Sequence, residues 1–277
     1  MQQEVGLKRN TIDKYYTKTT IVNICIDAFV KYIAPTKTDL IIEPSAGGGA
    51  FVNSIKNITS SHLFYDIEPQ HPEILQQDFL EVNNTHLLHL NQKHRDIHII
   101  GNPPFGRQSS IAIKFIKKSA EIANSISFIL PKSFKKDSMK KAFPLDFHLL
   151  YEYDIPDNSF TVNGVEYDVP CIFQIWQKKS YKRDAPIKLE PLNFIFVNKT
   201  DAPDISFRRV GVYAGKIDKE INEKSEQSHY FIKFTNQCTI DDNISKLSTI
   251  KYEFNNTVGP KSISKQEIIA IFNPLLT

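Results

Sequence analysis

Short apolar runs closed by prolines, glycines or acidic residues punctuate the chain, with stretches of helical period between them. Leu40-Ile41-Ile42, His62-Leu63-Phe64-Tyr65 and Ile74-Leu75-Gln76-Gln77 read as the first three strands. Ile97-His98-Ile99-Ile100, Ser127-Phe128-Ile129-Leu130, Phe147 to Tyr153 and Val169 to Trp176 supply four more. Ile21, Ile24, Cys25, Ala28, Phe29, Tyr32 and Ile33 recur at three- and four-residue steps. That spacing predicts a helix over 21–33, with Thr19 or Thr20 as its N-cap and Pro35 as its stop. A second helix opens at Ala50-Phe51-Val52, and a third, capped by Ser109 or Ser110, runs to about Ala123. Strands alternating with helices predict an α/β, doubly wound, seven-stranded sheet. Residues 1–12 read as a polar arm, 81–96 as an irregular polar stretch and 154–168 as a turn-rich loop.

The pattern changes at Lys178-Lys179-Ser180-Tyr181-Lys182-Arg183, followed by Pro186 and Pro191. This places an edge between a main domain over 1–180 and an extension over 190–277. The extension alternates short β-like runs (Phe194 to Val197, Tyr230 to Phe234) with polar turns, so it is expected to be small and β-rich. Glu267 to Phe272 predicts a short helix stopped before Pro274.

Composition narrows the class. The 277 residues are 41% hydrophobic and 23% charged, as in an ordinary globular protein. No apolar run approaches the length of a membrane span and the N-terminus lacks a signal-peptide core, so a cytoplasmic protein is expected. Cys25, Cys171 and Cys238 are odd in number and far apart, and two sit in apolar surroundings. They predict free thiols rather than disulfides or a zinc site. A net charge of +3 permits a polyanionic partner without demanding one.

Candidate chemistry gathers at two turns. Gly101-Asn102-Pro103-Pro104-Phe105 follows the fourth strand, at the carboxyl end where open α/β sheets place their sites. Pro103 fixes its own φ, so its carbonyl and the Asn102 side chain can be aimed at one point. Two acceptors suit the two hydrogens of an exocyclic amine on a planar ring, and Phe105 offers a stacking face. Upstream, Glu43-Pro44-Ser45-Ala46-Gly47-Gly48-Gly49 ends the first strand in a glycine-rich turn, and the next helix would aim its N–H groups at a carboxylate. The turn matches neither a Walker loop nor a dinucleotide fingerprint, which disfavours nucleotide phosphate. Glu43 suits an amino group, and Asp66, with Glu68 in reserve, ends the second strand where an acid suits ribose hydroxyls.

Asn102-Pro103-Pro104-Phe105 after a strand resembles the catalytic motif of S-adenosylmethionine-dependent amino-methyltransferases, above all the N6-adenine DNA methyltransferases. The stretch Ile41 to Phe51 looks like their cofactor loop, and the two motifs stand in the γ-type order. The resemblance covers roughly residues 13–177. It implies a class I, Rossmann-like methyltransferase domain, S-adenosylmethionine as cofactor, and methyl transfer to adenine N6 in DNA. Asn102, Pro103, Pro104 and Phe105 would be catalytic. Cofactor contacts would fall to Tyr16, Thr17, Glu43, Pro44, Ala46, Gly47 and Asp66, with Asp78 accepting from the adenine amine and Ile67 and Phe79 enclosing its ring.

Substrate contacts are expected from Phe160, as a second stacking face, and from Lys132 in a lysine-rich run. Arg209, Lys216 and Lys233 of the extension would grip the substrate backbone. The partner is expected to be nucleic acid, DNA ahead of RNA. The extension is short for a full sequence reader, however. An RNA adenine methyltransferase, a protein glutamine N5-methyltransferase and a non-catalytic nucleic-acid-binding module remain alternatives. The glutamine enzymes generally carry Tyr where this chain has Phe105.

Overall fold

A computed structural model describes residues 15–83, 89, 95–162, 164–252, 254 and 261–277. The expected arm over 1–12 and part of the polar stretch 81–96 lie outside the described residues. The chain divides into two compact units, Met1–Ala185 and Pro186–Thr277.

The first unit opens with β1 (Tyr16–Thr17) and α1 (Thr19–Ile33), then β2 (Leu40–Glu43), α2 (Val52–Ile58), β3 (Ser61–Asp66) and β4 (Leu75–Gln76). β5 (Ile97–Gly101), α3 (Ser110–Ala120), β6 (Ser125–Pro131), the single turn α4 (Asp137–Lys140) and β7 (Phe147–Asp154) follow. β8 (Phe160–Val162), β9 (Val165–Tyr167) and β10 (Cys171–Lys178) complete it. Seven of these strands form one sheet in the order β4-β3-β2-β5-β6-β10-β7. β4, β3, β2, β5 and β6 run parallel, whereas β10 is antiparallel to both of its neighbours. Every residue of β2, β5 and β6 is buried, as parallel strands covered on both faces must be. The α/β, seven-stranded sheet predicted by the sequence is present.

Several boundaries fall elsewhere than expected. Thr19 and Thr20 lie inside α1, and the N-cap is Lys18, whose side chain makes no capping bond. Lys18 is instead extended, and its N–H donates to the Ser159 carbonyl at 3.1 Å. Ala34 adopts a left-handed conformation that ends α1 just before Pro35. Ser109 occupies the N-cap of α3 but makes no side-chain capping bond, and α3 stops at Ala120 rather than Ala123. The expected loop over 154–168 carries the β8–β9 hairpin, onto which β1 pairs through Tyr16↔Thr161 and Thr17↔Phe160.

The second unit contains β11 (Phe194–Val197), β12 (Ile205–Arg208), β13 (Ile217–Asp218) and β14 (His229–Phe234), joined in an antiparallel sheet ordered β11-β14-β12-β13. Phe194, Phe207, Ile232, Leu247, Ile268 and Phe272 centre a separate core. Two helices contribute to it, α5 (Ile240–Ser248) and α6 (Lys265–Leu276). The sequence reading missed α5, whose start is marked by Thr239 accepting from the Asp242 N–H at 3.1 Å. α6 runs through Pro274 instead of stopping before it. A capping box of Ser264 and Glu267 opens that helix, and buried Leu276 anchors the turn beyond the proline.

Candidate active site

The parallel strands deliver their carboxyl ends to a cavity of about 1080 Å³. Its lining includes Glu43, Pro44, Ala46 and Gly47 after β2, Asp66 and Ile67 after β3, and Asp78 after β4. Asn102 and Pro104 enter from the end of β5, and Tyr15, Tyr16 and Thr17 from β1 and the residue before it. Residues far apart in sequence thus converge because adjacent strands end at one rim.

Gly47 makes the first turn possible. It takes φ +50, and its N–H donates to Asp66 Oδ2 at 2.7 Å, linking the ends of β2 and β3. The other Asp66 oxygen accepts from the Glu68 N–H at 2.8 Å. Each carboxylate oxygen retains a further acceptor direction. Asp78 Oδ1 accepts from the Leu80 N–H at 2.8 Å, which fixes the turn that follows.

Glu43 is 2% exposed and its Oε2 has no hydrogen-bond partner. Burial pushes its carboxyl well above the usual carboxylate range, and the Asp66 charge acts in the same direction. Asn102 is held at its other end. Its Nδ2 donates to Thr17 Oγ1 at 3.2 Å and to the Tyr15 carbonyl at 3.4 Å, while its buried Oδ1 is unpartnered. Ser45 Oγ donates to the Asn102 carbonyl at 3.3 Å, tying the two turns together.

The turn after β5 is then locked onto α3. The Phe105 carbonyl accepts from the Ile111 and Ala112 N–H groups at 3.1 and 3.2 Å. Gly106 sits at φ +69, where a Cβ would lie 2.5 Å from Ile111 Cγ1. Gly106→Ala is therefore expected to destabilise the first unit by roughly 1–3 kcal/mol, read from chemical denaturation. An unchanged midpoint would refute this close approach.

Three aromatic expectations are corrected. Phe79 is 1% exposed and packs on Phe115 at 6.0 Å between ring centroids, so Leu80, Ile111 and Phe115 join Ile67 as the apolar wall. Phe105 is 7% exposed and does not line the cavity; its ring lies 6.1 Å from that of Tyr15. Phe160 is 1% exposed and packs edge-on against Tyr15 at 6.5 Å, inside the core rather than as an open stacking face. Tyr15, stacked on Tyr167 at 5.4 Å, is the residue of this cluster that lines the cavity near Asn102, and the sequence reading passed over it. Pro103 is buried beneath the turn, and its neighbour Pro104 faces the cavity.

The basic positions are largely engaged. Lys132 lies 3.3 Å from Asp154, and Lys135 hydrogen-bonds the same carboxylate at 2.6 Å. Partial burial works against ionisation of Asp154, but these two lysines outweigh it and hold its carboxyl below the usual range. In the second unit Arg209 donates to the Gln227 carbonyl at 2.9 Å and lies over the Tyr230 ring. Lys216 pairs with Asp218 at 3.7 Å, whereas Lys233 is exposed on β14.

No family model and no curated protein matches the chain. Solved structures do resemble it. A protein of Pyrococcus horikoshii described as a putative RNA methyltransferase has 13% identity and a TM-score of 0.48, covering 64% of this chain and 93% of its own. The 23S rRNA methyltransferase ErmE has 13% identity and a TM-score of 0.43, over 61% of this chain and 71% of its own. An rRNA methylase from Streptococcus thermophilus has 12% identity and a TM-score of 0.38, over 57% and 95%. The likeness concerns the fold. The strand order, with the antiparallel β10 inserted between β6 and β7, is that of a Rossmann-like α/β sheet. Among the described residues no helix is long and apolar enough to cross a membrane.

Proposed function

We propose that the first unit binds S-adenosylmethionine in this cavity and transfers its methyl group to N6 of adenine in nucleic acid, with DNA as the first substrate to test. The observation that carries the reading is a pair of buried, unpartnered acceptors, Glu43 Oε2 and Asn102 Oδ1, on residues lining one cavity at the ends of adjacent strands. An unmade hydrogen bond in the interior costs roughly 1–3 kcal/mol, so two of them in one cavity fit donors brought by bound ligands, one to each acceptor.

The donor set suits that cofactor. Glu43 takes the amino group of its methionine tail, and a nearby cation returns the carboxyl to its charged form. The glycine-rich turn lets the backbone come close to its carboxylate. Asp66 receives the ribose hydroxyls on its remaining acceptor directions, and Asp78 lies beside the adenine ring enclosed by Ile67 and Leu80. When bound, S-adenosylmethionine supplies an electrophilic methyl group.

This chain's own work is done on the acceptor base. The lone pair of adenine N6 is delocalised into its ring, which makes the amine a poor nucleophile. Asn102 Oδ1 accepts one of its hydrogens and favours a more tetrahedral nitrogen. The spent proton leaves to water. In a duplex the base must first be turned out, at a cost of roughly a few kcal/mol, which single strands largely avoid.

The test is incubation with tritiated S-adenosylmethionine and separate DNA, RNA and protein pools. Label recovered as N6-methyladenine from DNA is the expected result. Label confined to RNA would replace the substrate, label confined to protein would remove nucleic acid from the reading, and absence of cofactor binding by calorimetry would overturn it.

A further inference from the structure

We propose that β1 and the residue before it form the positioning element of the catalytic amide. The Tyr15 carbonyl and the Thr17 hydroxyl hold Asn102 in the one orientation that turns its Oδ1 toward a substrate donor. This rests on the reading of Asn102 as the group that meets the target amine.

A primary amide has two ends of nearly equal shape and opposite hydrogen-bonding character, so an unrestrained Asn102 would present NH2 as readily as oxygen. Here Nδ2 lies 3.4 Å from the Tyr15 carbonyl and 3.2 Å from Thr17 Oγ1. The hydroxyl tolerates either end of the amide, because it both donates and accepts. The carbonyl does not. Reversal would set Asn102 Oδ1 against another acceptor, losing a bond and adding repulsion. The Tyr15 carbonyl therefore selects the orientation, and the Thr17 hydroxyl stiffens it.

The two acceptors are themselves fixed by remote parts of the first unit. The ladder pairs Tyr16↔Thr161 and Thr17↔Phe160 set the height of β1. The Lys18 N–H donates to the Ser159 carbonyl at 3.1 Å, and the Lys18 ammonium pairs with Glu166 of β9. Thr17 is only 9% exposed, which limits competition from water for Nδ2. The arrangement makes Asn102 a reader of donors: it accepts from an exocyclic amine and opposes a ring carbonyl at the same place.

The test compares Thr17→Val, which keeps the shape and removes the hydroxyl, with Thr17→Ser, which keeps the hydroxyl. Thr17→Val is expected to lower kcat about tenfold, well beyond any change in the Kd for S-adenosylmethionine, and Thr17→Ser to recover most of the loss. A second readout needs no turnover: in 15N-labelled protein the Asn102 side-chain NH2 should exchange its protons faster in Thr17→Val. Wild-type kcat in Thr17→Val, a loss confined to cofactor affinity, or unaltered exchange of the Asn102 amide would each overturn the proposal. If the wild-type protein methylates none of the pools, the functional reading falls, and the exchange measurement alone then decides whether β1 orients the amide.

Discussion

Asn102→Ala is expected to lower kcat roughly 10²- to 10³-fold, the size of effect seen when a donor or acceptor aimed at developing charge is removed. Binding of S-adenosylmethionine should stay within about twofold, because on the proposed reading the amide meets the acceptor base and lies outside the turns that follow β2 and β3. Its backbone remains pinned by Ser45, so the turn keeps its path while the side chain is lost. Some stability goes as well, since the bonds from Nδ2 to Tyr15 and Thr17 disappear. Single-turnover assays with excess enzyme separate the chemical step from product release. Wild-type single-turnover rates in this variant would mean that Asn102 does not contact the reacting amine.

Glu43→Gln should move affinity and stability in opposite directions. The Glu43 carboxyl in the ligand-free protein titrates well above its ordinary value, chiefly through burial. A carboxyl raised in the folded state contributes stability that is complete below its unfolded pKa and is lost as pH rises through its folded pKa. Between those two values the ligand-free protein should therefore weaken with rising pH, and Glu43→Gln should remove that slope and raise Tm at the alkaline end. The same substitution takes the negative charge away from the cofactor's amino group, so S-adenosylmethionine affinity should fall about tenfold to a hundredfold. Thermal melts across pH, paired with calorimetry, check both halves. A variant that binds the cofactor as tightly as the wild type would place the amino group elsewhere.

Much of the sheet is legible in the sequence because its signals are local. Ile97 to Ile100 followed by two prolines, and Leu40 to Glu43 followed by a glycine-rich turn, each announce a buried strand and its stop within one short window. The hairpin carrying β8 and β9 was equally announced, since Asn163-Gly164 separates two short runs rich in β-branched residues, yet the stretch reads as a loop when its partner strand is unknown. That partner, β1, lies before the first helix, and only the pairing brings Tyr15 and Thr17 to Asn102. Side-chain direction is the other gap. Residue type marks Phe79, Phe105 and Phe160 as aromatic, but each ring is turned into the core by contacts with other elements. The charges of Lys132 and Lys216 likewise read as available until Asp154 and Asp218 are seen beside them.

The position of β10 has a consequence for synthesis on the ribosome. It is the last strand of the main sheet to be made, yet it lies between β6 and β7, and β7 has no other neighbour in that sheet. Until Cys171–Lys178 has left the exit tunnel, the nascent chain carries β6 with one unpaired edge and β7 without a place in the sheet. All seven residues of β6 end up buried, so that waiting edge is among the most adhesive surfaces the chain ever presents. The main sheet therefore cannot be finished strand by strand as it is translated. It is closed by one late insertion, and a nascent chain arrested before Cys171 exposes to other chains the edge that β10 would have covered.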